Sequence, residues 1–227
     1  MRKVVLVTGG SRGIGAATCI LAAQKGWDVA VNYSANAQAS EGVVEQIKAA
    51  GGRAISVQAD VAHEEQVLAM FQKVRAELGP LQGLVNNAGV VDVSARLDEM
   101  SMARWRRMFD INVLGSMLCA REAILQMSTR HGGVGGSIVN LSSAAARLGS
   151  PGQYLDYAAA KGAIDSFTLG LAKEVAGEGI RVNAIRPGLI DTEIHASGGL
   201  PNRVKDLEHL VPAKRGGSAM EVAQAIV

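Results

Sequence analysis

Short runs of β-branched residues alternate along this chain with longer segments of helical period, and no other feature restricts its fold as much. Val4–Val7 reads as a buried strand. Ile14, Thr18, Leu21 and Lys25 follow at helical spacing, and Gly26 closes that helix. Residues 29–31 form a second strand. Val43, Val44 and Ile47 mark a helix ending at Gly51-Gly52, and residues 54–57 form a third strand. Val67, Met70, Phe71, Val74 and Leu78 share one helical face, with Gly79-Pro80 as the stop. Further strands are expected at 83–85, 138–141 and 182–185, and long helices at 105–127 and 158–175. Such alternation builds βαβ units. It predicts an α/β fold, a doubly wound parallel sheet flanked by helices, with ligands outside the carboxyl ends of its strands. No linker or repeat divides the sequence, so one domain over residues 1–227 is expected. The segment 190–217 is broken by Gly198-Gly199, Pro201, Pro212 and Gly216-Gly217, which predicts a substrate loop.

The rest of the composition narrows the class. Hydrophobic residues make up 48% of the chain and charged residues 19%, enough to bury a core. A net charge of +2 lacks the basic excess of a dedicated nucleic-acid binder. The first apolar run, Val4–Val7, is too short for a secretory signal or a membrane span. Cys19 and Cys119 fall in apolar helical segments and read as small buried hydrophobes, and no His is spaced for a metal. A cytoplasmic protein without nucleic-acid, membrane or metal partners is the expectation.

Chemistry enters at the first strand–helix junction, Thr8-Gly9-Gly10-Ser11-Arg12-Gly13-Ile14-Gly15. Glycines there let the backbone turn tightly against a pyrophosphate, and the following helix offers free N–H groups. The second strand ends Val31-Asn32-Tyr33-Ser34, with no carboxylate to hold a ribose 2′-hydroxyl or repel a 2′-phosphate. Arg12 stands in the turn, where a guanidinium can pair with that phosphate. NADP(H) is therefore the preferred cofactor and NAD(H) the alternative.

Tyr157-Ala158-Ala159-Ala160-Lys161 places a phenol and an ammonium on one helix face. A tyrosine titrating near ~10 exchanges protons poorly at pH 7, and moving it to about 7 requires roughly 4 kcal/mol. A desolvated lysine beside it, together with the positive nicotinamide ring, is expected to supply energy of that order. Ser143 follows a strand end, where its hydroxyl can polarise a carbonyl that Tyr157 protonates; Ser142 is its weaker rival.

In these residues the chain resembles the short-chain dehydrogenases/reductases, Rossmann-type proteins of the single-domain branch. The resemblance rests on Thr8-Gly9-x-x-x-Gly13-x-Gly15, Asp60-Val61, Asn86-Asn87-Ala88-Gly89, Asn112-Val113-x-Gly115, Ser143, Tyr157-x-x-x-Lys161, and Asn183 with Pro187-Gly188. It implies that Tyr157 is the acid/base, Ser143 a donor to the substrate oxygen, and Lys161 the binder of the nicotinamide ribose. Asn112 would hold a water that connects Lys161 to solvent. Asp60 and Val61 would contact the adenine, Asn87, Ala88 and Gly89 would line the cofactor cleft, and Pro187, Gly188, Ile190 and Thr192 would hold the nicotinamide. Asn86 is expected to brace neighbouring strands. A homo-oligomer, tetramer or dimer, is implied.

Departures from the pattern bear on assembly and substrate. Family members usually continue past a helix such as 220–227 into a last strand that joins a subunit interface. The family's tyrosine often lies closer to its serine, so the segment 147–156 is expected to carry about one extra residue. Arg130-His131 resembles a basic pair of the 3-oxoacyl-carrier-protein reductases, yet Glu178 stands where those enzymes often have a base. A small carbonyl or alcohol substrate is thus preferred to a carrier protein, in a pattern similar to glucose-dehydrogenase-like members. His195 and Glu193 are the polar candidates of the substrate loop. An NADP-binding sensor without catalysis is the rival reading; the set Asn112, Ser143, Tyr157 and Lys161 speaks against it.

Overall fold

The computed structural model describes residues 2–227. Its sheet strands are β1 (Val4–Val7), β2 (Asp28–Tyr33), β3 (Ala54–Gln58), β4 (Leu81–Asn86), β5 (Gly136–Leu141) and β6 (Ile180–Ile185). Between them run α1 (Gly13–Gln24), α2 (Ala37–Ala49), α3 (Glu64–Glu77), α4 (Met102–Phe109), α5 (Gly115–Met127), the short α6 (Ala145–Leu148) and α7 (Leu155–Val175). The strands lie in the order β3-β2-β1-β4-β5-β6, every neighbouring pair parallel. This is the α/β doubly wound architecture expected, and the order reverses between β1 and β4, where such sheets open a ligand crevice.

β1 shows why the sheet is buried on both sides. Val4 and Leu6 pack with Val67, Phe71 and Val74 of α3, Ala123 of α5 and Leu171 of α7. Val5 and Val7 point the other way, toward Cys19 and Ala22 of α1, Val43, Val44 and Ile47 of α2 and Val222. Side chains alternate across a strand, so a continuous apolar run requires helices on both faces. Cys19 and Cys119 are both buried and free. Burial pushes both thiols up, Cys119 to about 12, as expected of packing residues.

Element ends differ from the sequence reading in an informative way. The helix expected at 105–127 begins at Met102, where Ser101 accepts a bond from Arg104 N, and is interrupted by a π-helical turn, Asp110–Leu114. Periodicity cannot distinguish one extra residue in a continuing helix. α7 starts three residues before the expected 158, placing Tyr157 inside its first turn. The segment 149–154 holds three left-handed residues, Gly149, Ser150 and Gly152, in a tight loop before α7.

The broken segment after β6 condenses around a two-stranded parallel pair, β7 (Ile190–Asp191) and β8 (Gly217–Ser218). Two short helices, α8 (Ile194–Ser197) and α9 (Arg203–Leu207), lie between them, and α10 (Ala219–Ile226) returns to pack against α1. The pairing draws the two ends of the loop together and leaves its middle over the carboxyl ends of β5 and β6. Among the described residues, no helix is long and apolar enough to cross a membrane.

Candidate active site

The glycine turn is pinned from two sides. Thr8 Oγ1 accepts bonds from Asn87 N and Ala88 N, each 3.0 Å, and Asn87 Nδ2 donates to Thr8 O at 2.8 Å and Gly9 O at 2.9 Å. From β2, Asn32 Oδ1 accepts from Gly9 N at 3.1 Å while its Nδ2 donates to Val57 O and Ala59 O. Gly9 and Gly13 have φ of +60° and +51°, which only glycine adopts without strain. A Cβ on Gly9 would sit 3.0 Å from Ala88 Cα, and one on Gly15 would drive into Gly9 O and lie 2.6 Å from Asn87 Nδ2. Arg12 precedes α1 without a side-chain cap, so the first N–H groups of that helix open into the cleft.

That cleft, about 480 Å³, is lined by Gly9, Ser11, Arg12, Gly13 and Ile14 from the turn and by Asn32, Tyr33 and Ser34 from the end of β2. Asp60 and Val61 after β3, Asn87, Ala88 and Gly89 after β4, and Thr192 and Glu193 complete it. Two of the nominated residues stand differently. Gly15 is buried behind the turn and shapes it. Asn32 reaches the wall, but its amide is committed to the backbone bonds above. Asn36, which caps α2 by accepting from Ala39 N at 3.0 Å, and Arg107 also line the cleft, and neither is among the residues expected there. Asn followed by a helical run is a capping signal; Arg107 carries no local signal.

A second cavity of about 500 Å³ continues from the first across Ile14, Asn87, Gly89, Thr192 and Ile194. Its floor holds Ser143, Tyr157, Lys161, Pro187, Gly188 and Ile190, and its cover includes His195 and residues of α9. Ser142 borders the same chamber, but it is buried and its hydroxyl donates to Lys161 O at 3.2 Å, whereas Ser143 is only partly buried. Lys161 Nζ donates to Leu141 O at 2.6 Å and lies 5.5 Å from the centre of the Tyr157 ring. His195 Nε2 lies 2.8 Å from Ile190 O, an internal bond of the loop.

In the protein alone, the lysine by itself does not lower the tyrosine. Burial raises the Tyr157 phenol above its ordinary value, opposed by the nearby Ser143 hydroxyl, and the neighbouring lysine does not reverse this. Lys161 is itself desolvated, which lowers it from 10.5 to about 8, opposed by the charge of Asp165. Burial acts against the charged form of both groups, so it separates the pair from the simple ammonium–phenol picture.

Asn112 sits in the π-helical turn, fully buried. Its Nδ2 donates to Val90 O at 3.1 Å and Met108 O at 3.0 Å, and its Oδ1 accepts from Val90 N at 3.2 Å. It lines neither cavity; it holds the loop after β4 in place, with Gly89 between it and Lys161. Asn86 joins Asn140 at 2.9 Å, and Asn140 joins Thr168 at 2.9 Å, the strand brace expected of it. A feature absent from the sequence reading is the bidentate pair of Arg104 with Asp156, 2.7 and 3.1 Å; Asp156 also accepts from Tyr157 N at 2.9 Å. The partners lie 52 residues apart, beyond any local pattern.

Comparison with known proteins agrees with this geometry. The family model for the short chain dehydrogenases matches residues 3–200. The uncharacterized oxidoreductase YgfF of Escherichia coli is 54% identical over 99% of this chain and 91% of its own length. The 3-oxoacyl-(acyl-carrier-protein) reductase FabG of Staphylococcus aureus is 37% identical, over 100% of this chain and 89% of its own. A Burkholderia cenocepacia short chain dehydrogenase, solved in complex with NADP, superposes with a TM-score of 0.89 at 34% identity, covering 99% of this chain and 88% of that one. With a dinucleotide-type crevice and relatives matched over nearly its full length, the chain belongs to the short-chain dehydrogenase/reductase family and is an NAD(P)-dependent oxidoreductase.

Proposed function

We propose that this enzyme catalyses reversible hydride transfer between NADP(H) and a small carbonyl compound or secondary alcohol, with Tyr157 as acid/base. The observation that carries the proposal is the meeting of two cavities at one point. A glycine-lined cleft runs into a second chamber whose floor holds Tyr157, Ser143 and Lys161. The first cleft fits a dinucleotide: a side chain at Gly9 would close it against Ala88, and α1 presents free N–H groups to a pyrophosphate. NADP(H) is preferred because Asn32, Tyr33 and Ser34 bring no carboxylate to the end of β2, while Arg12 lies exposed on the cleft wall.

The reduced cofactor supplies the hydride. Ser143 donates a hydrogen bond to the substrate oxygen, and Tyr157 gives it a proton as negative charge develops there. Burial keeps the phenol protonated at neutral pH, the form needed for reduction. Lys161 presents its ammonium at the base of the same chamber, held by Leu141 O, where it can bind ribose hydroxyls and carry a proton to Tyr157. Asn112 is a positioning residue: it fixes the Gly89–Val90 backbone beside Lys161. In the other direction the roles reverse.

A 3-oxoacyl-carrier-protein substrate is the second reading, favoured by the likeness to FabG. The Arg130 side chain lies 3.9 Å from Glu178 before β5 and β6, at the amino ends of the strands, so its charge is partly answered there. This supports a free small molecule. A cytoplasmic location and assembly as a homo-oligomer are part of the proposal; the assembly is supported by Phe109, Leu114, Met117 and Leu125, which lie exposed along α4, the π-helical turn and α5. Sedimentation of the purified protein tests it.

The primary test is titration with NADPH and NADH, followed by turnover of ketones, sugars and 3-oxoacyl thioesters. Tyr157→Phe is expected to keep NADPH binding and to lose about 10²–10⁴-fold in kcat, the contribution of one positioned proton donor. A Tyr157→Phe enzyme as fast as wild type would refute the assignment.

A further inference from the structure

The substrate chamber contains one charged group for which the proposed reaction has no use. Arg203, on α9, reaches into the cavity that holds Tyr157 and Ser143. Its guanidinium lies 5.2 Å from the centre of the Tyr154 ring and donates to Gln153 Oε1 at 2.6 Å. A guanidinium has five N–H donors and stays charged at any pH the protein survives. Here one donor is used, by a neutral amide. Among the described residues no carboxylate comes within 4.0 Å of it, although Arg104, Arg186 and Arg215 all have such partners.

The surroundings sharpen the point. No Asp or Glu lines this chamber, whose remaining walls are largely apolar, including Leu148, Leu207 and Val211. Arg203 is half-buried, so solvent screens it only in part. Tyr154, beneath the guanidinium, is fixed in turn by its hydroxyl donating to Gly198 O at 3.1 Å. It directly precedes α7, one helical turn before Tyr157. A cation held against an aromatic ring in a largely apolar chamber that also holds a proton donor suits a two-ended ligand.

Resting on the proposed reaction, we infer that the substrate is an oxo acid or hydroxy acid. Its carbonyl or alcohol meets Tyr157 and Ser143, an apolar stem crosses the chamber, and its carboxylate pairs with Arg203. Carboxylate and guanidinium geometries match for two parallel hydrogen bonds. The reaction itself is unchanged: in reduction the carbonyl carbon gains the hydride, its oxygen gains the Tyr157 proton, and the carboxylate takes no part.

The test pairs 5-oxohexanoate and 4-oxo-4-phenylbutanoate with their neutral methyl esters. NADPH oxidation gives kcat/KM for each, and calorimetric titration of the NADP-loaded protein gives binding of each acid independently of turnover. Wild type is expected to favour each acid over its ester by about tenfold to a hundredfold, as for a hydrogen bond to a charged group. Arg203→Met is expected to bring that ratio toward one, Arg203→Lys to an intermediate value, and Lys205→Ala, an equal charge change on the exposed side of α9, to leave it as in wild type. Turnover of ketones without an acid preference, or a preference that survives Arg203→Met, would overturn the inference and leave the reductase reading intact. Acid binding lost in Arg203→Met but without turnover of any ketone would overturn the reductase reading and keep the anion site. No binding or turnover of either acid would overturn the inference outright.

Discussion

Replacing Lys161 by methionine exchanges a buried ammonium for an apolar side chain of similar length. The cost of burying that ammonium can be read from its titration, lowered from 10.5 to about 8 by desolvation. A shift of that size corresponds to about 3 kcal/mol of penalty on the charged form, at ~1.4 kcal/mol per unit. The lysine also donates to Leu141 O, and losing that bond returns about 1–2 kcal/mol. Near pH 7 the variant is therefore expected to be more stable than wild type by about 1–2 kcal/mol, a rise in Tm of roughly 2–8 °C for a domain this size. The sign with pH follows from linkage. The unfolded lysine titrates above the folded one, so between about 8 and 10.5 the unfolded state binds more protons and wild-type stability rises with pH. Below that window the penalty is fully present; above it the penalty is gone. Urea unfolding of both proteins from pH 7 to 10.5 should show the variant's advantage shrinking and then reversing. A variant less stable at pH 7, by a margin constant across the window, would refute the claim that burial of this ammonium is costly.

Other outcomes follow from the same structure. Asp156→Ala leaves Arg104, also largely buried, without its partner and is expected to cost about 3–5 kcal/mol in denaturant unfolding. Arg12→Ala should weaken NADPH about tenfold to a hundredfold and NADH much less, by fluorescence titration; an unchanged preference would remove Arg12 from the phosphate site. Gly15→Ala pushes a methyl group into Gly9 O and Asn87, and should cost about 1–3 kcal/mol of stability together with dinucleotide affinity. Reduction should lose rate as pH rises through about 8, where Lys161 loses its charge in the folded protein, and Tyr157 titrates higher still.

What could be read from the sequence was local. The glycine turn and the Tyr157–Lys161 pair each lie within one junction or one helix, so spacing alone places their residues together. The doubly wound parallel architecture followed from the alternation of elements. Two adjacent serines at a strand end look alike in the sequence; the structure distinguishes them only by bonding, since the Ser142 hydroxyl donates to Lys161 O while Ser143 Oγ accepts from Ala145 N. Spacing reveals a neighbouring charge but not the depth at which both groups are buried, so the rise that burial gives Tyr157 in the protein alone could not be read from it. Arg104 with Asp156, and Arg203 over Tyr154, join segments about fifty residues apart and carry no periodic signature.

The π-helical turn at Asp110–Leu114 works as a phase step between two helices that would otherwise be one rod. Each residue of an α-helix advances the side-chain direction by about 100°. Upstream of the step, Arg104 and Met108 face α7 and its Asp156; downstream, Ser116, Cys119, Ala123 and Met127 face the sheet. Removing one residue from the step would restore a regular helix and rotate α4 about its own axis relative to α5. Met108 would leave Asn112, and Arg104 would swing away from Asp156. The geometry around Tyr157 therefore depends on an exact residue count in a segment that touches neither cavity at Asn112, and a one-residue deletion there should be harsher than any single substitution within it.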